Sequence, residues 1–153
     1  MGKFKDLRVW NDAMELAEKV YACARSNPAF SQDFALRNQI TRAVISVPSN
    51  IAEGDERGTS REACHFFNIS KGSTAEVITQ LHLAYRLGYM DAAMLAALED
   101  LAEKIRASLK NLIQARGGGN PLKTNVLAIP LLPQTDLTMD GGRYTLRRLP
   151  STV

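Results

Sequence analysis

Few residues in this chain have the types and spacing that chemistry needs. Cys23 and Cys64, with His65 and His82, are its whole supply of thiols and imidazoles. Cys64 and His65 are neighbours, and adjacent side chains on a helix point roughly 100° apart, so they do not form a nucleophile–base pair by themselves. His65 and His82 fall several helical turns apart. Neither belongs to a His-Glu-x-x-His or Glu-x-x-His arrangement, the usual helical routes to a metal. The glycine clusters "GDERG" (54–58) and "ARGGGN" (115–120) lack the strand–loop–helix order and the Lys-Ser/Thr pair of a phosphate cradle. These residues therefore predict no catalytic, cofactor-binding or metal site, and reduced, buried cysteines. Trp10 and the tyrosines at 21, 85, 89 and 144 offer faces on which a base could stack, but at helical spacing they read first as core.

The elements that must position these side chains are helices with a 3.6-residue apolar period. The first runs from about Leu7 to Arg25, capped by Asp6, with a stripe of Val9/Trp10, Ala13/Met14, Ala17, Val20/Tyr21 and Ala24. Pro28 ends it, because proline restricts Asn27 and cannot continue the helix. The second begins near Gln32 or Asp33 and carries Phe34, Leu36, Ile40, Ala43/Val44, Val47 and Ile51. The third opens with Ser60-Arg61-Glu62 and runs to about Leu87, through Ala63, Phe66/Phe67, Ser70, Ser73/Thr74, Val77, Leu81 and Ala84/Tyr85. Its small residues Ser70, Gly72 and Ser73 would let a neighbouring helix come close. Gly88 is placed to end it and Asp91 to cap the fourth, which runs to about Arg116 through Met94, Leu95, Leu98, Leu101, Ile105, Leu109 and Leu112/Ile113. Long helices joined by short loops predict an all-α, antiparallel, up-down-up-down four-helix bundle over residues 1–116.

One stretch contradicts its surroundings. "VPSNIAEG" (47–54) sets Pro, Ser and Asn where the apolar rhythm of the second helix continues to Ile51 and Ala52. Proline removes a backbone donor, and Ser and Asn compete for backbone groups. The reading is a helix that bends at Pro48 without ending there. Ser49 and Asn50 would then satisfy the freed carbonyls near Val44 or a facing helix, and Gly54 would let the chain turn.

Past Gly117-Gly118-Gly119 the character changes. Residues 117–153 hold four of the six prolines, together with Leu131, Leu132, Tyr144, Leu146, Arg147 and Arg148. "TNVLAI" and "RYTLR" resemble short extended segments, and Asp140-Gly141-Gly142 between them is a hairpin signal. The segment is too apolar for a solvated linker and reads as an appended interaction element. In a protein-only adaptor, the alternative reading of function, this tail would dock on a partner protein.

Charge narrows the remaining classes. The net charge is +3, with fifteen Lys/Arg against fourteen Asp/Glu through Arg116 and four against two beyond it. A nearly neutral protomer is a poor non-specific nucleic-acid binder, because counterion release scales with the phosphates neutralised. A closed ring would multiply any basic patch. The candidates are Lys3, Lys5 and Arg8 at one end of the sequence and Arg57, Arg61 and Lys71 around the second loop. There is no secretory h-region and no apolar run long enough to span a membrane, so a cytoplasmic location is the expectation.

Three segments in order carry a family resemblance: "DLRVWNDAMELAEKVY" (6–21), "QITRAVISVPSNIAEG" (39–54) and "STAEVITQLHLAYRLGYM" (73–90). Over roughly Phe4 to Arg116 the chain resembles the 23S rRNA intervening-sequence four-helix-bundle proteins. Pro48 to Gly54 match the family's Pro-Ser-Asn-Ile-Ala-Glu-Gly string, Trp10 its early tryptophan, and Ala75, Glu76, Gln80 and Leu81 its Ala-Glu…Gln-Leu pattern. The resemblance implies a left-handed bundle that assembles as a ring-like homopentamer, without catalytic activity. It is also similar to accessory bundles of retroelement reverse transcriptases, which implies RNA, or an RNA-processing or reverse-transcribing protein, as partner. In such a scaffold, polar residues within the core would fix register, and Arg42, Ser49, Asn50, Glu53 and Glu76 are predicted to form that network, since a buried charge needs a partner. Loss of Glu76 is then expected to destabilise the bundle.

Overall fold

The computed structural model describes residues 3–117, 135–140 and 143–148. The chain divides into two compact units, Met1–Gly119 and Asn120–Val153. In the first, a 3-10 turn at Phe4–Asp6 precedes α1 (Arg8–Ser26), α2 (Pro28–Gln32), α3 (Phe34–Asp55), α4 (Ser60–Arg86) and α5 (Ala92–Ala115). Each long helix packs on two others, in the ring order α1, α3, α4, α5. This is the up-down-up-down four-helix bundle. The second unit contains an antiparallel hairpin, β1 (Thr135–Asp140) paired with β2 (Arg143–Arg148).

Local chemistry explains most helix boundaries. Asn27 does end α1, but its side chain then accepts from the Phe30 N–H at 3.0 Å and starts α2 with Pro28 in the first turn. This short helix, absent from the sequence reading, seats the fully buried Phe30 against Tyr89, with ring centroids 5.1 Å apart. Asp33 caps α3 by accepting from Leu36 N–H at 3.0 Å. Its other carboxylate oxygen accepts from the Tyr89 hydroxyl at 3.0 Å, tying the start of α3 to the α4–α5 loop. Thr59 caps α4 by accepting from the Glu62 N–H at 3.3 Å, and its hydroxyl donates to the Glu62 carboxylate at 2.7 Å. Asp91 caps α5 as expected, and Gly88 adopts φ +77° at the end of α4. Asp6, by contrast, does not cap α1. It lies in the 3-10 turn that folds Phe4 edge-on to Trp10, with centroids 5.3 Å apart.

The core is mostly aliphatic, with Phe30 and Phe67 as its fully buried rings. Leu16, Val20, Ile40, Val44, Val47, Ile51, Leu81, Leu98, Ile105 and Leu109 are fully buried, and each contributes about 1.5–3 kcal/mol through removal from water. The first-helix stripe needs one correction. Leu16, which the sequence reading omitted, is fully buried, whereas Met14 is 36% exposed. The seam of α1 is Val9, Ala13, Leu16, Val20 and Cys23, so its apolar face is wider than the core it covers. Phe34, expected in the stripe of α3, is likewise 63% exposed.

The tail reading changes too. "RYTLR" does lie in a strand, but its partner is Thr135–Asp140, with Met139 opposite Tyr144, Leu137 opposite Leu146, Asp136 opposite Arg147 and Thr135 opposite Arg148. "TNVLAI" (124–129), Leu131 and Leu132 lie outside the described residues.

Candidate functional site

The Pro-Ser-Asn-Ile-Ala-Glu-Gly stretch lies inside α3, which passes through Pro48 and ends at Asp55. Proline at 48 has no N–H to give the Val44 carbonyl and crowds it. The next three carbonyls each receive an added side-chain donor. Ser49 Oγ donates to Ile45 O at 2.8 Å, Asn50 Nδ2 to Ser46 O at 2.7 Å, and Ser70 Oγ, from α4, to Val47 O at 2.9 Å. The Asn50 amide also reaches Ser46 Oγ at 2.9 Å, and Ser46 Oγ meets Ser73 Oγ at 2.9 Å across the α3–α4 seam. Thr74 closes the set by donating to Ser70 O at 2.9 Å. Ser70 and Thr74 are fully buried, and every hydroxyl in the seam has a partner, as burial requires.

Gly54 has a different task from the one expected. It is still helical, and it is buried against Phe67. A Cβ there would stand 2.6 Å from Phe67 Cε1 and 3.0 Å from the Ala63 carbonyl. Glycine is thus required for close approach of α3 to α4. Gly72, read as a close-approach residue, is exposed, and a Cβ there would meet nothing within 4 Å.

The predicted polar network is not assembled in this protomer. Arg42, Ser49, Glu53 and Glu76 are exposed, and Asn50 is half-buried. Glu53 pairs with Arg57 one turn on, and Glu76 accepts from Gln80 at 3.1 Å on the surface of α4. A glutamate or arginine at these positions keeps its hydration, which a bundle interior would remove. The buried carboxylate is instead Asp55, 7% exposed, which accepts from Arg116 at 2.7 Å and so joins the end of α3 to the end of α5. Arg116 also covers the Phe67 ring at 5.9 Å. The sequence offered a weak signal for this pair, an Asp beside the signature glycine and an Arg before the triple glycine.

The opposite edge of α3 faces a cleft of about 360 Å³ shared with α1. Phe4, Trp10, Met14 and Ala17 form one wall, and Ile45, Pro48, Ser49 and Ala52 the other. A second groove continues it along α1, sharing Met14 and Ala17 and ending at Tyr21 and Arg25. Ile45 is 46% exposed, an unusual degree for isoleucine in the middle of a helix. The surplus apolar width of α1 and the proline of α3 meet here.

The basic candidates fall together in part. Because α1 starts at the end of the bundle where α3 stops, Lys3, Lys5 and Arg8 share that end with Arg57 and Arg61. Lys71 does not belong there, since it sits eleven residues into α4, about 16 Å along the axis. Arg57 is committed to Glu53 and lies over the Phe66 ring at 4.6 Å, and Arg8 stands 4.0 Å from Asp12. Asp6, Glu53, Asp55, Glu56 and Glu62 interleave with these cations.

The thiols and imidazoles are dispersed. Cys23 is buried, and that burial pushes its thiol up from the ordinary value. Cys64 Sγ lies 3.7 Å from the Ile113 carbonyl, His65 packs edge-on to Phe66, and His82 bonds Glu99 at 2.9 Å between α4 and α5. Among the described residues no group of three or more His, Cys, Asp or Glu side chains is placed to hold a metal, and no helix is long and apolar enough to cross a membrane.

Comparison with known proteins gives this arrangement a context. The bundle resembles a crystal structure of a protein of unknown function, from the S23 ribosomal protein family of Bacteroides thetaiotaomicron, with a TM-score of 0.65 at 20% identity. The match covers 69% of this chain and 98% of that one, so the likeness is one of fold. No curated protein matches the chain. The profile of the 23S rRNA-intervening sequence proteins matches residues 5–111, which include α1 to α4, most of α5 and the whole Pro48–Gly54 stretch. With the fold and that sequence match together, the chain belongs to the 23S rRNA-intervening sequence protein family.

Proposed function

We propose that the protein is a non-enzymatic, cytoplasmic scaffold, in which copies of the bundle associate and present a joint surface to RNA or to an enzyme that acts on nucleic acid. The observation that carries this reading is the apolar cleft between α1 and α3. A bundle complete in itself has no use for Trp10, Met14 and Ile45 along a solvent-facing groove, and contiguous apolar grooves of this kind mark interaction sites. The cleft lies beside the family's own signature, so the string that packs α3 on α4 also sets the outward pose of Ile45 and Pro48. Self-association also supports the nucleic-acid side of the reading. A near-neutral protomer gains a usable positive field when symmetry repeats its basic end.

Light scattering combined with the ultraviolet absorbance ratio of the purified protein tests both parts. The expected result is a mass several times that of one chain, with a ratio raised by carried nucleic acid. A monomer free of nucleic acid would contradict the proposal.

A further inference from the structure

At the other end of the bundle, α1, α2 and α3 border a part-open pocket of about 300 Å³, with apolar surface at Ala24 and two arginines at its rim, of which Arg25 is exposed and Arg37 half-buried. Tyr21, Arg25, Ser31, Arg37, Asn38 and Thr41 line it. Arg37 is held in place from two sides. Its Nη1 donates to the Ser31 carbonyl at 2.7 Å, and its guanidinium lies 4.7 Å from the centre of the Phe34 ring. Arg25 lies over Tyr21 at 5.5 Å. Neither arginine has a carboxylate within 4.0 Å among the described residues, in contrast to Arg57 and Arg116. The Asn38 amide makes no hydrogen bond among them. Thr41 spends its hydroxyl hydrogen on the Arg37 carbonyl at 2.8 Å. The nearest acidic side chain in the adjoining groove is Glu18, which lines it with Arg25 but does not pair with it. Arg42, one turn beyond Asn38, is a further exposed cation without a carboxylate partner among the described residues.

We propose that this cavity binds the phosphate of a nucleotide. A phosphate is the ligand whose charge and fork geometry match two unpaired guanidiniums and an amide donor. The Tyr21 ring and the guanidinium planes of Arg25 and Arg37, all in the lining, supply flat faces beside it on which the attached base can lie. Arg37 is preorganised by its bond to Ser31 and its seat on Phe34, so little side-chain entropy is lost on binding. The site belongs to one protomer and does not require self-association. It deepens the nucleic-acid side of the reading above and rests on that reading only if single-stranded RNA, not a free nucleotide, supplies the phosphate.

Titration of the full-length protein at low salt with adenosine monophosphate and, separately, with a short single-stranded oligouridylate distinguishes the sources. Binding of either probe is expected to fall at least roughly tenfold in Arg25→Gln and in Arg37→Gln, the scale of a lost charged hydrogen bond. Arg37→Lys should lose part of that, because it keeps the charge without the fork. For the oligonucleotide, the salt slope should drop by about 0.7 per phosphate contact removed. Far-UV circular dichroism checks the fold, and Arg25→Gln, whose side chain holds no backbone group, remains informative if Arg37 variants unfold. Loss of both probes in the variants places a general nucleotide-phosphate site here, and loss of one identifies the source. The proposal is overturned if wild type binds neither probe, or if Arg25→Gln and a folded Arg37 variant bind both as wild type does. In the second case, RNA binding elsewhere on the scaffold would still stand.

Discussion

Toward α4, the middle of α3 presents Ser46, the Val47 carbonyl, Asn50 and Gly54. Ser46, the Val47 carbonyl and Gly54 meet Ser73, Ser70 and Phe67 of α4 in turn, and Asn50 braces the Ser46 hydroxyl from within α3. Toward α1 and solvent the same two turns present Ile45, Pro48, Ser49 and Ala52, which line an open cleft. The first face is small, hydrogen-bonded and close-packed. The second is apolar and open to solvent among the described residues of the bundle. Residues of one seven-residue string alternate between the two because a helix distributes consecutive positions around its axis. The same string can therefore be a packing device on one side and a recognition surface on the other.

The comparison breaks most readily on the inner face. Gly54→Val should be the most damaging substitution, since Phe67 is fully buried and its ring cannot swing away. Overpacking of this kind costs about 3 kcal/mol, read as a fall in melting temperature of roughly 10–20 °C. Gly54→Ala should cost less, and Phe67→Leu in the same chain should recover part of that loss, because the two sites are in contact. A Gly54→Val melt matching wild type would end the close-approach account. Ser70→Ala should cost about 1 kcal/mol by removing the buried donor to Val47 O. Ser73→Ala should cost less, as the Ser46–Ser73 bond is only half-buried. If the order of these two serines reversed in chemical denaturation, the seam would be organised around Ser46 instead.

Tyr89 lies away from both faces and provides a pH-dependent check. Its phenol is raised above the ordinary value near 10, first by the hydrogen bond to Asp33 and then by burial. The folded state thus favours the neutral phenol. Its contribution is complete below the unfolded value and is lost as pH rises through the folded one. Tyr89→Phe should flatten the alkaline arm of the stability profile, and an unchanged arm would mean that the Asp33 bond does not form. Smallest of all is Glu76→Ala, expected within about 0.5 kcal/mol of wild type because Glu76 is exposed and bonds only Gln80.

That last value reverses a sequence-based expectation, and the reason is instructive. The four long helices, the cap at Asp91, the end at Gly88 and the continuation of α3 through Pro48 were legible, because local spacing decides them. Ser49 and Asn50 were legible as side-chain donors to nearby backbone, although they reach the Ile45 and Ser46 carbonyls and not the Val44 carbonyl that proline frees. Which polar residues are buried was not. Glu53 and Glu76 share a helix with core residues, and only rotation about the axis, set by packing against partners, decides that they face outward while Asp55 faces Arg116. The short α2 was hidden for a similar reason: Pro28 stops one helix and starts the next. Met14 and Trp10 read as core because their apolar width is real, although Trp10 is only half-covered, by Phe4 and the core edge, and Met14 stays 36% exposed. The Arg25–Arg37 cavity left no linear trace, since its members come from three helices.

The outer face is the part of the comparison that bears on function, and one substitution isolates it. Ile45→Glu places a charge in the cleft without touching the α3–α4 seam, so its helical circular dichroism should match wild type. The direct measurement is the solution mass of Ile45→Glu beside wild type by light scattering. The expected result is a multiple of the chain mass for wild type and a shift toward a single chain for the variant. Equal masses for the two, whether monomeric or assembled, would contradict the assignment of the α1–α3 cleft as the surface through which copies meet.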